Sequence, residues 1–384
     1  MRRITSAAAF ALMLAACADQ PNAPESATTR AAAPLFAVTG APIAGSYIVV
    51  LKDGADPRSV AAITGVSPRY VYEAVVNGFA GDLNFGQLTA LQHNPNVDYI
   101  EPDQVFTVDA TVTANSWGRD RVDQRALPLS GTYSYTTTAS NVYAYVIDTG
   151  IQTSHPDFGG RAAAVYDAFG GNGQDCHGHG THVAGTIGGS AYGLARGVRL
   201  RAVRVLNCSG SGSTSGIISA IDWVRTHASK PAVANMSLGG GYSSTLNTAT
   251  NNLANAGIFI AVAAGNSNAN ACNSSPSSAS AAYTTAASTS SDAKASYSNY
   301  GSCVDGYAPG SSIKSDWINS GTNTISGTSM ASPHVAGTAA LYKGTYGDAA
   351  SSTIVSWINS NATTGKITGN PTGTPNRLLY KAAL

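Results

Sequence analysis

Charged side chains are scarce in this chain of 384 residues: Asp, Glu, Lys and Arg together make up 11%, where globular domains carry about 25%. The charges that remain balance to +1. There is thus no basic surface for nucleic acid and no acidic tail. Long apolar runs are missing too. The stretch Ala7–Ala16 is about half the ~20 residues that a membrane-spanning helix needs. Cysteine is sparse, and no two of the five stand in a Cys-x-x-Cys spacing, which speaks against a zinc ribbon. Gly, Ser, Thr, Ala and Asn fill the space instead.

The N-terminus reads as an export signal over residues 1–17, with Arg2 and Arg3 as its basic end and Ala7–Ala16 as its apolar core. Leu14-Ala15-Ala16-Cys17 also fits a lipoprotein signal, in which the cysteine is acylated. The two readings are a secreted protein and one lipid-anchored at the cell envelope through Cys17; both mean export. Cys176, Cys208, Cys272 and Cys303 remain. An even number in an exported chain suggests two disulfides, with three pairings open.

Residues 18–45 are rich in Ala, Pro and Thr without periodicity and read as a linker. The segment 46–107 has another texture. Tyr47–Leu51 reads as a strand, Asp56–Gly65 as a short helix, Tyr70–Phe79 as a strand-pair region, Asn84–His93 as a second helix and Val97–Glu101 as a last strand. That order predicts a small ferredoxin-like α+β module, near the lower size limit for a self-sufficient core. From Trp117 onward apolar strands alternate with helical stretches, which predicts an α/β domain: a mostly parallel sheet with helices on both faces. Asn141–Ile147 runs into Asp148-Thr149-Gly150, Arg201–Leu206 into a glycine/serine loop, Ala232–Ser237 into Leu238–Gly241, and Gly257–Ala263 into Ala264-Gly265-Asn266. In open α/β sheets the carboxyl ends of strands face the ligand, so these four ends are expected to share one cleft.

Gly327-Thr328-Ser329-Met330-Ala331-Ser332-Pro333-His334 reads as a serine at the start of a helix. Gly327 is expected to permit a tight turn, and Pro333 to lie in the helix's first turn. By itself Ser329 would be an N-cap. Upstream, however, Asp148 ends a strand, and His179 sits in His177-Gly178-His179-Gly180-Thr181-His182 at the entry to a small-residue helix. A hydroxyl is a poor nucleophile until a base takes its proton, and the imidazole base needs a carboxylate to fix its tautomer. The chain supplies one of each, in the order Asp, His, Ser. Two rivals use the same residues. His177, His179 and His182 could ligate a metal, but that leaves the serine motif unexplained. Asp148-Thr149-Gly150 could belong to an aspartic protease, but that chemistry needs a second such carboxylate, and the chain has none. A non-catalytic binding protein on this fold would be marked by a missing triad member, and none is missing.

These motifs resemble those of the subtilisin-like serine peptidases of the proteinase K branch, and in particular its aqualysin-type members. The likeness runs from Trp117 to about Tyr380 and implies a catalytic domain over 112–384. It implies that Asp148 orients, His179 is the base and Ser329 attacks, with the Asn266 side chain and the Ser329 N–H forming an oxyanion hole. It also implies substrate-binding edges at Ser209–Thr214, within them Gly210, Ser211 and Gly212, and at Ser237, Leu238, Gly239 and Gly240. Ala263, Ala264 and Gly265 match one wall of the primary pocket. No acid stands in these stretches, so broad cleavage after apolar or aromatic residues of protein and peptide substrates is expected.

The resemblance further implies that 46–107 is an inhibitory propeptide, with Val105–Asn115 crossing the active site and cut within 107–115. It implies disulfides Cys176–Cys208 and Cys272–Cys303, and a monomer. Structural calcium is implied at Asp305 with the carbonyls of Ser280 and Ala282, and at a second set, Asp120, Asp123 and Gln124; oxygen donors of this kind suit that ion.

Overall fold

The computed structural model describes residues 31–36, 42–73, 77–104, 110–113 and 115–384; the expected export signal, Cys17 and much of the expected linker lie outside them. The chain divides into two units, Met1–Thr107 and Val108–Leu384.

In the first unit the order is β1 (Pro42–Leu51), α1 (Pro57–Ile63), β2 (Tyr70–Tyr72), β3 (Gly78–Asp82), α2 (Phe85–Gln92) and β4 (Val97–Gln104). The four strands form an antiparallel sheet in the order β2-β3-β1-β4, the ferredoxin-like arrangement. Local chemistry starts each helix. The Asp56 carboxylate accepts the backbone N–H groups of Arg58 and Ser59 ahead of α1, and Asn84 and Gln87 close a capping box on α2. Val49, Val60, Phe79, Leu91 and Ile100 make the core. The structure corrects the linker expected over 18–45. Strand β1 already starts at Pro42. Ala33 is buried in the same core, and the Phe36 N–H donates to the Ile100 carbonyl at 2.9 Å. A few residues bound to a strand edge have too little length to show a period, so composition alone misreads them.

The second unit opens with β5 (Ala110–Thr113), α3 (Trp117–Arg121) and β6 (Thr132–Tyr135). There follow β7 (Tyr143–Asp148), β8 (Ala162–Asp167), α4 (His179–Gly188), β9 (Arg199–Arg204), α5 (Thr214–His227), β10 (Ala232–Met236) and β11 (Gly240–Gly241). After these come α6 (Ser244–Asn255), β12 (Phe259–Ala263), β13 (Ser274–Ser275), β14 (Tyr283–Ser288), β15 (Gly306–Pro309), the hairpin β16 (Ile313–Trp317) and β17 (Gly321–Ile325), α7 (Thr328–Tyr346), α8 (Ser351–Asn361), β18 (Thr363–Thr364) and β19 (Arg377–Leu378). The main sheet runs β8-β9-β7-β10-β12-β14-β15-β19-β18 and is parallel except at the β18–β19 edge. Its central strands β10, β12 and β14 are buried along their whole length, because helices cover both faces. One face packs on α4, α7 and α8; the other packs on α5 and α6. The chain leaves β7 toward β9 and later returns on its other flank with β10. Asp148 therefore ends a strand at the switch point of the sheet, where clefts form.

Within the expected crossing segment, residues 105–109 and 114 lie outside the described residues, and β5 pairs antiparallel with β6. Two expectations need correction. Gly327 has φ 163°, extended backbone that any residue adopts, so no tight turn requires it. Pro333 lies inside α7, one turn further in than expected. The reason it is tolerated appears at the active site.

Helix α4 packs against the β16–β17 hairpin over two glycines. A Cβ on Gly185 would stand 2.6 Å from Asp316 Oδ2, and one on Gly189 would stand 2.4 Å from Asp157 Oδ2 and 2.8 Å from Asp316 Oδ2. The glycines leave room for two facing carboxyls. The Ala191 N–H donates to Asp157, but Asp316 is fully buried and neither of its oxygens finds a donor. Burial first, and the Asp157 charge second, push the Asp316 pKa up, so the pair holds a proton that the unfolded chain would release. A carboxyl with a raised folded-state pKa supports the fold at low pH, and that support is lost as pH rises through the raised value. Asp316→Asn is accordingly expected to raise Tm more at pH 9 than at pH 5, with roughly 2–4 kcal/mol gained on the alkaline side. An equal gain at both pH values would show that the pair holds no such proton.

Candidate active site

His179 opens α4, and the loop before it is held by Asp175. One Asp175 oxygen accepts the His177 and Gly178 N–H groups and the Thr149 hydroxyl, each at 2.9 Å. The other accepts the N–H and hydroxyl of Thr181. Gly178 takes φ +109°, and a Cβ there would fall 2.3 Å from the Trp317 ring, so only glycine fits. The disulfide Cys176–Cys208 ties this loop to the chain just beyond β9; the second disulfide is Cys272–Cys303.

Asp148 is fully buried. Its Oδ1 accepts His179 Nδ1 at 2.7 Å and the Thr149 N–H at 2.7 Å. The bond fixes the tautomer that leaves Nε2 facing the cleft. Burial pulls the His179 pKa down, but the Asp148 charge and hydrogen bond, with Asp175 adding to them, outweigh it, and the net shift is upward.

Ser329 occupies the second position of α7, and its hydroxyl donates to the Ser237 carbonyl at 3.1 Å. Pro333 has no N–H to give the Ser329 carbonyl; Ser237 Oγ donates to that carbonyl instead, at 2.7 Å. Asn235 Nδ2 holds Ser237 Oγ at 2.8 Å, and the Ser332 hydroxyl donates to Asn235 Oδ1 at 2.7 Å. A buried polar chain thus replaces the bond that proline removes. Asn266 is oriented as firmly. Its Oδ1 accepts both the N–H and the hydroxyl of Thr328, at 2.8 and 2.9 Å, so its NH2 is the end left free. A point at the absent Gly327 Cβ lies 3.6 Å from Asn266 Nδ2 and 3.6 Å from the Ser329 N. The two donors therefore flank one space, and glycine keeps it clear.

Two adjoining cavities share Leu238, Gly239, Gly240 and Gly241 as lining, and between them take in His179, Ser329 and Asn266. One, of about 520 Å³, is lined by His179 together with Gly210, Ser211, Gly212, Ser237, Leu238 and Gly239. The other, of about 360 Å³, is lined by Ala263, Ala264, Gly265, Asn266 and Ser329. Gly265 takes φ +102°, and a Cβ there would meet Asn299 Nδ2 at 2.4 Å; Asn299 in turn bonds the Ala264 carbonyl and the Ser267 and Ala269 N–H groups. No acid or base lines the smaller cavity.

The histidines of the rival metal set diverge. His182 is buried, with Nε2 on the Ile313 carbonyl at 3.0 Å, while His179 Nδ1 is taken by Asp148. Burial lowers the His182 and His334 pKa values to about 4; both are neutral core residues, His334 through Nδ1 on the Met330 carbonyl.

Residues 139–378 match the family model of the subtilase family. This chain is a subtilase. Residues 46–109 of the subtilase match the peptidase inhibitor I9 family. It is 47% identical to the extracellular serine proteinase of Thermus sp. (strain Rt41A), with 96% of each chain covered. It is 45% identical to the alkaline serine exoprotease A of Vibrio alginolyticus, with 98% of this chain and 76% of that one covered. Among solved structures, a cold adapted subtilisin-like serine proteinase aligns with TM-score 0.69 at 51% identity, over 71% of this subtilase and all of that chain. The subtilase is thus a serine proteinase carrying an inhibitor-type N-terminal segment. No helix among its described residues is long and apolar enough to cross a membrane.

Asp175, Thr328, Asn235, Ser332 and Asn299 escape a motif reading. Each acts by hydrogen-bonding backbone or a functional side chain, and such a polar residue looks like any loop residue in sequence. The signal that could have pointed to Ser237 is Pro333 itself, since a proline inside a helix leaves a carbonyl to be satisfied.

Proposed function

We propose that this subtilase is an exported endopeptidase of broad specificity that matures by cutting its own precursor. The observation that carries the reading is the convergence on one cleft of the Asp148–His179 pair, Ser329 and the free amide of Asn266. Ser329 Oγ turns from the Ser237 carbonyl to His179 Nε2, gives up its proton and attacks the scissile carbonyl. The imidazolium is held by Asp148 and later protonates the leaving amine. The oxyanion sits between Asn266 Nδ2 and the Ser329 N–H. Substrate backbone lies in extended form between 209–214 and 237–240. The uncharged cavity at Ala263–Gly265 takes an apolar or aromatic side chain before the scissile bond. The self-cleavage falls within residues 107–115. The first unit then acts as the inhibitor in cis. The mature enzyme is a secreted monomer; the anchored alternative at Cys17 would differ in fate, not in chemistry.

Calcium is part of the proposal as a stabiliser. Asp305 borders a cavity of about 320 Å³ together with Ser280 and Ala282. Burial raises its pKa to about 6 even though the Thr284 N–H donates to it. A half-buried carboxylate on a hollow bordered by Ser280 and Ala282 suits a hard cation, which takes carboxylate and carbonyl oxygens. The second set is less coherent. Asp120 and Gln124 both reach Ser130, but Asp123 is turned to Ser134 and to Lys381 Nζ at 2.9 Å and does not join them.

A serine-directed sulfonyl fluoride is expected to stop proteolysis at once, whereas a strong chelator leaves the initial rate at low temperature nearly intact and lowers Tm. The Tm loss corresponds to ~2.7 kcal/mol at a hundredfold calcium excess over Kd. Asp305→Asn should remove most of that calcium-dependent Tm gain, and calcium affinity in the parent should weaken below about pH 6 as the Asp305 carboxyl takes up its proton. Immediate loss of activity on chelation, with circular dichroism unchanged, would mean that the metal is catalytic and the serine mechanism wrong.

A further inference from the structure

His177 lies on the wall of the larger cavity together with His179, Leu206 and Ser209–Gly212, yet the mechanism above gives it nothing to do. Its Nδ1 accepts the His179 backbone N–H at 3.3 Å. The neutral ring therefore carries its proton on Nε2. Nε2 reaches toward the opposite rim, 3.3 Å from where a Cβ on Gly210 would stand. Apart from His179, the other residues lining this cavity are hydroxyl, glycine or apolar residues, so His177 brings its one further titratable side chain. The charged groups around His177 are otherwise engaged. From its own loop, Asp175 is taken up by the His177, Gly178 and Thr181 N–H groups. From α4, His179 is paired with Asp148. From β9, Arg204 is paired with Asp167 and lies 3.3 Å from Cys176 Sγ. From β16, Trp317 offers an uncharged ring at 6.5 Å.

An extended substrate points successive side chains to opposite sides. With one side chain in the Ala263–Gly265 cavity, the residue before it turns toward the His179 wall. We propose that His177 is a specificity-determining residue that recognises an acidic side chain at that preceding position, through a hydrogen bond from Nε2–H to the carboxylate. The inference rests on the reading of the cleft given above.

The test uses two peptides that share a Phe before the scissile bond and differ only in Glu or Gln immediately ahead of it. Mature enzyme and its His177→Asn variant are assayed on both under one set of conditions. The Glu/Gln ratio of kcat/KM is the readout; it cancels any general effect of the variant on His179. In the parent the ratio is expected at about 5–10, the scale of one charge-assisted hydrogen bond at a half-exposed site. In the variant it should be near unity. Equal ratios in parent and variant, with both peptides cleaved, would overturn the role of His177 and leave the peptidase reading standing. Failure of the parent to cleave either peptide would bring down both.

Discussion

Ser329→Ala is expected to abolish proteolysis, with kcat lower by about a millionfold, the scale on which a hydrolytic Asp-His-Ser set loses function when its nucleophile is removed. Nothing nearby can replace the hydroxyl. Its partner in the resting geometry is the Ser237 carbonyl, and the Ser237 hydroxyl is already spent on the Ser329 carbonyl. The fold should survive, because the polar chain through Ser332, Asn235 and Ser237 reaches the backbone of residue 329 rather than its side chain. The same variant is also expected to remain a full-length precursor, since the proposed first substrate is the chain's own junction within 107–115. Normal processing of purified Ser329→Ala, with no other protease present, would remove both the nucleophile assignment and the self-cleavage.

The second large effect is expected at Asn266. Truncation to Ala should lower kcat by about a hundredfold or more and leave KM little changed, because a donor aimed at the oxyanion acts only once charge develops there. The structure sharpens the expectation. The Asn266 carbonyl is anchored by Thr328 through two bonds, so the amide needs no rearrangement at the moment of reaction. A loss confined to KM would reassign Asn266 to ground-state binding.

Much of this was legible in the sequence because it is carried by long local patterns. Strand ends at Asp148 and Asn266, the glycine-rich entry to α4 and the serine at the head of α7 each announce themselves within a dozen residues. The ferredoxin-like unit is readable from the alternation of short strands and helices. What was not legible depends on contacts far apart in the chain. Asp316 looks like an ordinary hairpin acid until its burial against Asp157 across α4 is known. Asp123 looks like a partner of Asp120 until Lys381 is seen to claim it. Pro333 looks like a first-turn proline in sequence because the donor that makes it tolerable deeper in the helix comes from Ser237, just after β10.

That last arrangement has a mechanical meaning. A helix with an ordinary residue at 333 would close its own ladder and owe nothing to its surroundings. With proline there, the first turn of α7 is buttoned through Ser237 to the chain just after β10, beside the edge proposed for the substrate backbone. One hydrogen bond thus fastens the segment that carries the attacking hydroxyl to the proposed rail for the peptide. Engineering of the 237–240 edge is thereby constrained: side chains beyond Ser237 are free to change the fit, but position 237 must keep a hydroxyl or the alignment of the nucleophile goes with it.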